Sequence, residues 1–376
     1  MLPLNLNVIC YSILSMKRTI RLRLLFCIMG ITMACIDSLA QLQPEVADSF
    51  FNFIKANKTR SSVYISKDDS TIARLNEEKL MPLGNTVNIM VAVEFAMQAS
   101  TNMIDKDAYV SLNELEKYHL PETDSGAHEA WIAYEKQKMN IVHDSISLIE
   151  VARGMTMFNS NANTEYLMDL LGFDNVKNNH RLFELKNHTA MFPYVSSLFM
   201  FQNLGKMKET KLLREIRKLS EEEYCRYAFI FHQQLKDEPN FKSSFRVSKL
   251  KPELLKIWSD RLTASTTKEY VQLVKILNNR KFLNENTFGI IAEILEFPME
   301  KKEFQEIFRQ YGGMGGSTGF SLTQVIYFTS KENMKMEMAI FFNDLTPTEE
   351  RQLKKWWYSF EAQLIFDEVF RNKLKF

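Results

Sequence analysis

The sequence predicts an α+β fold in which both ends of the chain contribute strands to one antiparallel sheet. Strand patterns occur early, in 62–75, and late, in 321–328 and 336–342, on either side of a long helical middle. Unpaired strand edges expose main-chain N–H and C=O groups, so these strands are expected to pair with each other although they lie far apart in sequence. Helical patterns in 44–57 and 346–375 are expected to cover the resulting sheet, while the middle forms a mostly helical second lobe.

Composition limits the partners of the protein. The chain has 376 residues, 45% of them hydrophobic and 25% charged, as is usual for soluble globular proteins. Its 47 Lys and Arg are balanced by 46 Asp and Glu, so clustered positive charge for phosphate binding is lacking and nucleic acid is not predicted as a partner. No cofactor is predicted.

Residues 1–40 have the pattern of a signal peptide. A basic segment, 17–23, precedes an apolar run, 24–36, that is too short to span a membrane comfortably. Small residues at 38 and 40 favour cleavage before Gln41, and Met16 is the better initiator because the residues before it lack the expected charge. The sequence therefore predicts export to the periplasm or cell envelope.

Two alternatives to cleavage stay open at the N-terminus. One is an uncleaved anchor, and the other is lipid attachment at Cys35. Lipid attachment is the weaker of these, because Thr32 and Met33 fit a lipobox poorly. In either case we expect 41–376 to form one domain, with an α/β lobe from about 41–84 and 300–376 and a helical lobe from about 85–299.

The segment 81–96 is expected to be central to the fold. A short loop containing Pro82 and Gly84 leads into an apolar run long enough for a buried helix. Asn85 stands where that helix should begin, and Asn is a favoured N-cap residue. Asn88 follows about one turn later on the same face.

The rest of the chain alternates helical patterns with a few interruptions. Residues 145–171 are helical except at 158–163, and 204–278 are mostly helical. The glycine run 312–316 is expected to end the helical pattern before the late strands. In the last helix, the predicted core face consists of Trp356, Trp357, Phe360 and Ile365.

Three stretches, in order, resemble the motifs of class A β-lactamases and the related penicillin-binding proteins. The segment 82–92, PLGNTVNIMVA, resembles the Ser-x-x-Lys region. The segment 152–167, ARGMTMFNSNANTEYL, resembles the Ser-x-Asn region at the start of a helix, and 313–319, GMGGSTG, resembles the Lys-Thr-Gly region. Two further stretches agree with this family: LTASTT at 262–267 and DSGAH at 124–128. The resemblance implies a β-lactamase or transpeptidase-like fold.

In that family the first Ser attacks a carbonyl and becomes acylated, and the Lys three residues later helps to remove its proton. The Ser of the second motif relays a proton, and the Lys of the third holds the substrate carboxylate. This chain has Asn85, Asn88, Asn159 and Met314 at the four corresponding positions, although the glycines allow a slip in register around Met314. None of these four side chains forms acyl bonds or moves protons, so we do not expect any of them to be catalytic.

Some polar positions of the family pattern persist. The resemblance implies that Asn85, Asn161, Ser317 and Thr318 contact a ligand such as a cell-wall peptide or a β-lactam-like compound. The structural alternative is that Asn85 is only an N-cap, Asn88 a satisfied buried amide, and 159–161 a capping cluster.

Other chemistry has weaker support. Ser160 is the best substitute nucleophile, but no Lys or His lies near it in sequence to activate it. Glu122, Asp124 and His128 could be drawn as metal ligands, but a structured surface loop is the better interpretation, and no metal is predicted.

The leading hypothesis is therefore an exported pseudoenzyme that binds without catalysis. The alternative is an active serine hydrolase acting on a β-lactam or a cell-wall peptide amide. A third possibility is that the surface binds another protein.

Overall fold

A computed structural model describes residues 44–202 and 206–376. The predicted signal peptide, with Met16 and Cys35, lies outside the described residues. Over the described ranges the chain has the expected α+β architecture, with an antiparallel sheet and many helices. None of the helices in these ranges combines the length and apolar character needed to cross a membrane.

The helices and strands occur in the following order. The helices are α1 Pro44–Ala56, α2 Asn88–Ser100, α3 Leu112–Glu116, α4 Ala127–Lys138, α5 Leu148–Met157, α6 Asn161–Leu171, α7 Phe173–Leu182, α8 Glu209–Lys218, α9 Glu221–Asp237, α10 Pro252–Asp260, α11 Thr267–Asn279, α12 Glu285–Leu295, α13 Lys302–Ile307, α14 Pro347–Phe366 and α15 Glu368–Lys373. The strands are β1 Ser61–Lys67, β2 Ser70–Leu75, β3 Met81–Pro82, β4 Tyr109–Ser111, β5 Ser145–Ser147, β6 Ala264–Ser265, β7 Phe308–Ser317, β8 Leu322–Ser330 and β9 Lys335–Phe342.

The main sheet has the order β2-β1-β9-β8-β7, and all of its neighbours are antiparallel. Val63 of β1 pairs with Ile340 of β9, so the two ends of the chain meet in the middle of the sheet. This confirms the pairing expected from the sequence. Because β8 and β9 are central, almost all of their side chains are buried.

One face of the sheet is covered by α1 and α14, the first and last long helices. Phe50 of α1 lies 4.6 Å, between ring centroids, from Phe360 of α14, and its ring also contacts Phe342 and Trp357. Ile365 is buried as well, whereas Trp356 only packs against the edge of this core. The opposite face packs against α2, α11 and α12 in a second hydrophobic core.

The helical pattern does end before the late strands, at Ile307, but the glycine run 312–316 itself lies inside a strand, β7, that the sequence did not predict. Glycine suits this position through close packing with β8. A Cβ at Gly313 would stand 2.2 Å from the carbonyl oxygen of Val325, and one at Gly315 would stand 2.6 Å from Gln324 Oε1. The glycines therefore allow close contact within the sheet.

The expected N-cap role of Asn85 is wrong. Asn85 lies inside a 3-10 helix, Gly84–Val87, and makes no capping hydrogen bond; α2 begins only at Asn88. Gly84 has φ +53°, a left-handed conformation that glycine adopts without strain. The side chain of Asn85 is consequently available for contacts outside its own helix.

Candidate functional site

Asn85 faces the N-terminus of α6. Its Nδ2 donates to the carbonyl oxygen of Asn159 at 3.3 Å and approaches Oδ1 of Asn161 at 3.5 Å. The structure therefore brings three of the sequence-predicted positions together. All three carry neutral amides, which neither attack a carbonyl nor take up a proton at neutral pH.

Asn88 lies one turn deeper and is fully buried. Its Nδ2 donates to Thr164 Oγ1 at 3.1 Å, while its Oδ1 has no hydrogen-bond partner. Thr164 in turn donates to the carbonyl oxygen of Ser160 at 3.0 Å. The amide of Asn88 thus links α2 to α6, but one of its two polar atoms is left unsatisfied, contrary to the expectation of a fully satisfied buried amide.

The segment 159–161 does act as a capping cluster. Ser160 is the N-cap of α6, and its hydroxyl accepts from the backbone N–H of Asn163 at 3.3 Å. Asn159 has φ +63°, and Asn is one of the residues that tolerate this left-handed conformation best. The backbone alone therefore gives a structural reason for Asn at this position.

The fold supplies Ser160 with a histidine that sequence distance concealed. His128 Nδ1 lies 2.9 Å from Ser160 Oγ, although 32 residues separate them. Burial, followed by the nearby charge of His119, lowers the pKa of His128 to about 4, so its imidazole is neutral at pH 7. Ser160 is fully buried, however, and a substrate cannot reach its hydroxyl.

The 3-10 helix that carries Asn85 packs directly on the sheet. A Cβ at Gly316 would stand 2.6 Å from the Asn85 backbone nitrogen and 2.8 Å from the Leu83 carbonyl oxygen. Thr323 of β8 donates to that carbonyl at 2.7 Å and lies 2.6 Å from Thr86 Oγ1. These contacts fix the backbone at Asn85 independently of its side chain.

The third-motif positions offer little to a ligand in their present rotamers. Met314 pairs with Val325 and is buried in the core shared with α2. Ser317 donates to Glu350 on α14, and Thr318 Oγ1 lies 2.6 Å from Ser259 Oγ. Ser317 and Thr318 therefore already have protein partners, and Met314 contributes no charge.

Tyr194 is a site residue that sequence reasoning missed. It is buried, and its hydroxyl donates to Asn161 Oδ1 at 3.4 Å. Burial raises the pKa of Tyr194, and the side chains of Thr164 and Asn88 face its hydroxyl. The phenol of Tyr194 therefore lies against the side chains of Asn161, Thr164 and Asn88, and it remains protonated at neutral pH.

A buried carboxylate holds the segment that carries Tyr194. Glu165 accepts from the backbone N–H groups of Val195 at 2.9 Å and Ser196 at 3.1 Å, and the Ser196 hydroxyl also donates to it. His232 Nδ1 lies 3.0 Å from Glu165, and its Nε2 lies 3.2 Å from Asp169 Oδ1. The imidazolium between two carboxylates compensates the charge of Glu165.

This ion pair should make stability depend on pH. Burial opposes the charge on His232, but hydrogen bonds to Asp169 and Glu165 outweigh it and raise the pKa of His232 to about 9. Because the unfolded value is 6.5, the stabilisation is fully present below pH 6.5 and is lost as pH rises through 9. We expect the loss in unfolding free energy caused by His232→Gln to be about 3 kcal/mol smaller at pH 9.5 than at pH 6.

Urea denaturation of both proteins at the two pH values measures this difference. Tyr118 stacks on His232, and Lys236 pairs with Asp169, so these groups share the environment of the imidazole. The exposed His143→Gln serves as the control and should shift stability equally at both pH values. A pH-independent effect of His232→Gln would show that the imidazole is not charged in the folded protein.

Within the described ranges, no lysine, histidine or carboxylate hydrogen-bonds to the side chain of Asn85, Asn88 or Asn161. Two surface cavities lie elsewhere, one between α13, β7 and α14 and the other between α9 and the segments 189–192 and 260–264. Neither is lined by Asn85 or Asn161. The side chains of Asn85, Asn88 and Asn161 can donate and accept neutral hydrogen bonds.

The sheet order, the terminal helices and the site at the start of α2 define the serine β-lactamase and transpeptidase class of fold. The chain belongs to the β-lactamase enzyme family, whose model matches residues 44–311. No curated protein matches this chain in sequence.

Solved structures agree with this fold at low identity. A β-lactamase from Sphaerobacter thermophilus is 13% identical with a TM-score of 0.51, covering 85% of this chain and 96% of that one. The TLA-3 extended-spectrum β-lactamase is 13% identical with a TM-score of 0.50, covering 85% and 99%. A mutant of PBP-A, solved as an acyl-enzyme complex with penicillin G, is 8% identical with a TM-score of 0.50, covering 86% and 97%.

Proposed function

We propose that this chain is an exported, non-catalytic member of the β-lactamase family that binds an uncharged stretch of cell-wall peptide. One observation carries the proposal. By the motif resemblance, the four positions at which the family needs Ser, Lys, Ser and Lys correspond to Asn85, Asn88, Asn159 and, unless the register slips, Met314, and none of these side chains titrates near neutral pH. Together these substitutions remove the nucleophile, its base, the proton relay and the carboxylate-binding Lys, whereas a single substitution would remove only one of them.

The chemistry around the site favours a neutral ligand. Asn85 and Asn161 each present an amide, which can donate and accept hydrogen bonds to a peptide group. Strand β7 is the edge strand beside them, and an extended peptide can add to a sheet edge through main-chain hydrogen bonds. With Met314 at the position of the family's carboxylate-binding Lys, a β-lactam or a peptide C-terminus would lose its main ionic contact.

Two measurements on the purified protein test the proposal. A fluorescent penicillin should give no covalent labelling, and an uncharged cell-wall stem-peptide fragment should bind in calorimetry. Asn161→Ala should weaken that binding by about fivefold, the effect of about 1 kcal/mol for one neutral hydrogen bond. Asn113→Ala, an exposed amide on α3, is the matched control and should bind like the parent. Covalent labelling by penicillin, or binding that Asn161→Ala leaves unchanged, would contradict the proposal.

A serine hydrolase acting through Ser160 is the second candidate, because His128 lies in hydrogen-bond contact with it. The burial of Ser160 and its role as the N-cap of α6 argue against this candidate. A small fluorophosphonate probe discriminates between the two, since we expect no labelling of the parent. Labelling that is lost in Ser160→Ala but kept in Ser125→Ala would establish the hydrolase instead. Binding of another protein through the surface is the remaining alternative. In that case neither the penicillin nor the fluorophosphonate would label the chain, and the stem-peptide fragment would not bind.

A further inference from the structure

A cluster of histidines and carboxylates lies on the outer side of Ser160, between α3 and α4. Glu116 ends α3, His119 follows in the connecting loop, and His128 is the second residue of α4. One ligating atom from each of these three residues lies within 4.8 Å of the other two. Sequence spacing alone did not indicate this set, because His119 and Glu116 were not among the ligands considered.

The separations of the three atoms suit a tetrahedral ion. Oε2 of Glu116 lies 3.2 Å from His119 Nδ1 and 3.9 Å from His128 Nε2. Two ligands placed 2.0–2.1 Å from a tetrahedral Zn²⁺ are about 3.4 Å apart, so the observed distances bracket the required value. Small side-chain rotations would bring all three atoms onto one ion.

The neighbours of the cluster orient the ligands for this role. His128 uses Nδ1 to contact Ser160 Oγ, which leaves Nε2 directed at Glu116. Lys242 binds Glu116 Oε1 at 2.6 Å, and Oε2 hydrogen-bonds to His119 Nδ1, a contact that an ion held between these two atoms would replace. Metal-bound histidines commonly donate their second N–H to an oxygen in this way, which fixes the ring.

His119 provides an independent indication. It is 7% exposed, and its Nε2 makes no hydrogen bond but lies within ion-pair distance, 3.4 Å, of Glu129 Oε1. An ion on Nδ1 would place the remaining ring proton on Nε2, facing Glu129, which gives a carboxylate–histidine–metal arrangement. Asp124 is not available as a ligand, because its carboxylate accepts from the backbone N–H groups of Gly126 and His128.

We propose that Glu116, His119 and His128 form a Zn²⁺ site, with one water as the fourth ligand. The half-exposed Glu116 side chain gives the ion and the water access from solvent. The carboxylates of Glu116, Asp124 and Glu129 favour a cation at this place, although the ammonium of Lys242 offsets part of their charge. The ion would tie the loop between α3 and α4 to the N-cap of α6, and it does not depend on the proposed peptide binding.

Titration of chelator-treated protein with Zn²⁺ in a calorimeter tests the site. We expect about one equivalent to bind, and Co²⁺ used in place of Zn²⁺ should give the intense visible absorption of a tetrahedral centre. Trp131, whose ring centroid lies 5.5 Å from that of His128, should report binding through its fluorescence.

Matched variants locate the ion. Glu116→Gln and His119→Gln should each weaken Zn²⁺ binding at least about tenfold. Glu114→Gln on the same helix and the exposed His143→Gln should bind like the parent. Circular dichroism of each apoprotein checks that it is folded, and Glu116→Gln keeps the test decisive if a histidine variant unfolds, because Glu116 lies at the surface. Absence of stoichiometric binding, or equal affinity in Glu116→Gln and Glu114→Gln, would overturn the proposal.

Discussion

The double variant Asn85→Ser/Asn88→Lys is expected to react with a fluorescent penicillin at most slowly, at a rate at least roughly 10⁴-fold below that of an intact family enzyme. The variant regains a nucleophile and its base, whose loss costs about 10⁶ in rate in subtilisin, or about 8 kcal/mol. It still lacks the proton relay at Asn159 and the cation at Met314. Each such group is worth about 10²–10³ in rate, so two missing groups account for the remaining deficit.

The structure adds a second obstacle to this variant. Asn88 is fully buried beside Thr164 and Tyr194, with no carboxylate hydrogen-bonded to it among the described residues. An ammonium at this position would be desolvated and uncompensated, which lowers its pKa and destabilises the fold. Lysine at position 88 is therefore expected to lower stability even where it supplies the missing base.

Stopped-flow or gel-based labelling with the fluorescent penicillin measures the rate, and circular dichroism verifies folding. Asn85→Ser alone is the control for the nucleophile and should remain unlabelled. Adding Asn159→Ser and Met314→Lys should raise the rate above that of the double variant. Rapid multiple turnover by the double variant would mean that Asn159 and Met314 do not occupy the positions assigned to them.

Replacement of Glu165 by Ala is expected to lower the unfolding free energy by about 3–5 kcal/mol, the cost of breaking a buried ion pair by removing one partner. The loss has two parts. His232 keeps only Asp169 as a charged partner, and the buried N–H groups of Val195 and Ser196 lose their acceptor. Because these amides hold the segment that carries Tyr194, we also expect faster hydrogen exchange in 193–202.

Chemical denaturation and hydrogen exchange measure the two effects. Asp174→Asn, an exposed carboxyl at the start of α7, is the control and should change stability by less than about 0.5 kcal/mol. The double variant Glu165→Ala/His232→Leu should recover part of the loss, because it removes the uncompensated imidazolium as well. Strict additivity of the two single changes would show that the residues do not interact.

The architecture could be predicted from sequence because it depends on long, regular patterns. The apolar runs of β8 and β9 and the amphipathic pattern of α14 were enough to predict the sheet and the helix that covers it. The motif order then placed Asn85 and Asn161 in one site, and the structure brings their amides to 3.5 Å. These predictions needed only local periodicity and the order of elements.

The remaining site residues depend on contacts that sequence distance conceals. Glu165 and His232 are 67 residues apart, and a polar residue on a helix gives no sign of its partner. Tyr194 belongs to a segment without a regular pattern, so its position beneath Asn161 could not be derived. Strand β7 was not predicted, because glycine disfavours strands in general, whereas the close approach of β8 and of the Asn85 helix requires glycine here.

The contact between Gly316 and the backbone of Asn85 makes the shape of the backbone here independent of the side chain at position 85. A tight backbone-to-backbone fit is indifferent to which side chain position 85 carries, so selection for folding places no demand on a nucleophile there. A chain of this fold that no longer needed hydrolysis could therefore lose reactive side chains here without losing its backbone architecture. The result would be a protein that keeps the fold and its backbone shape and is suited to binding without catalysis.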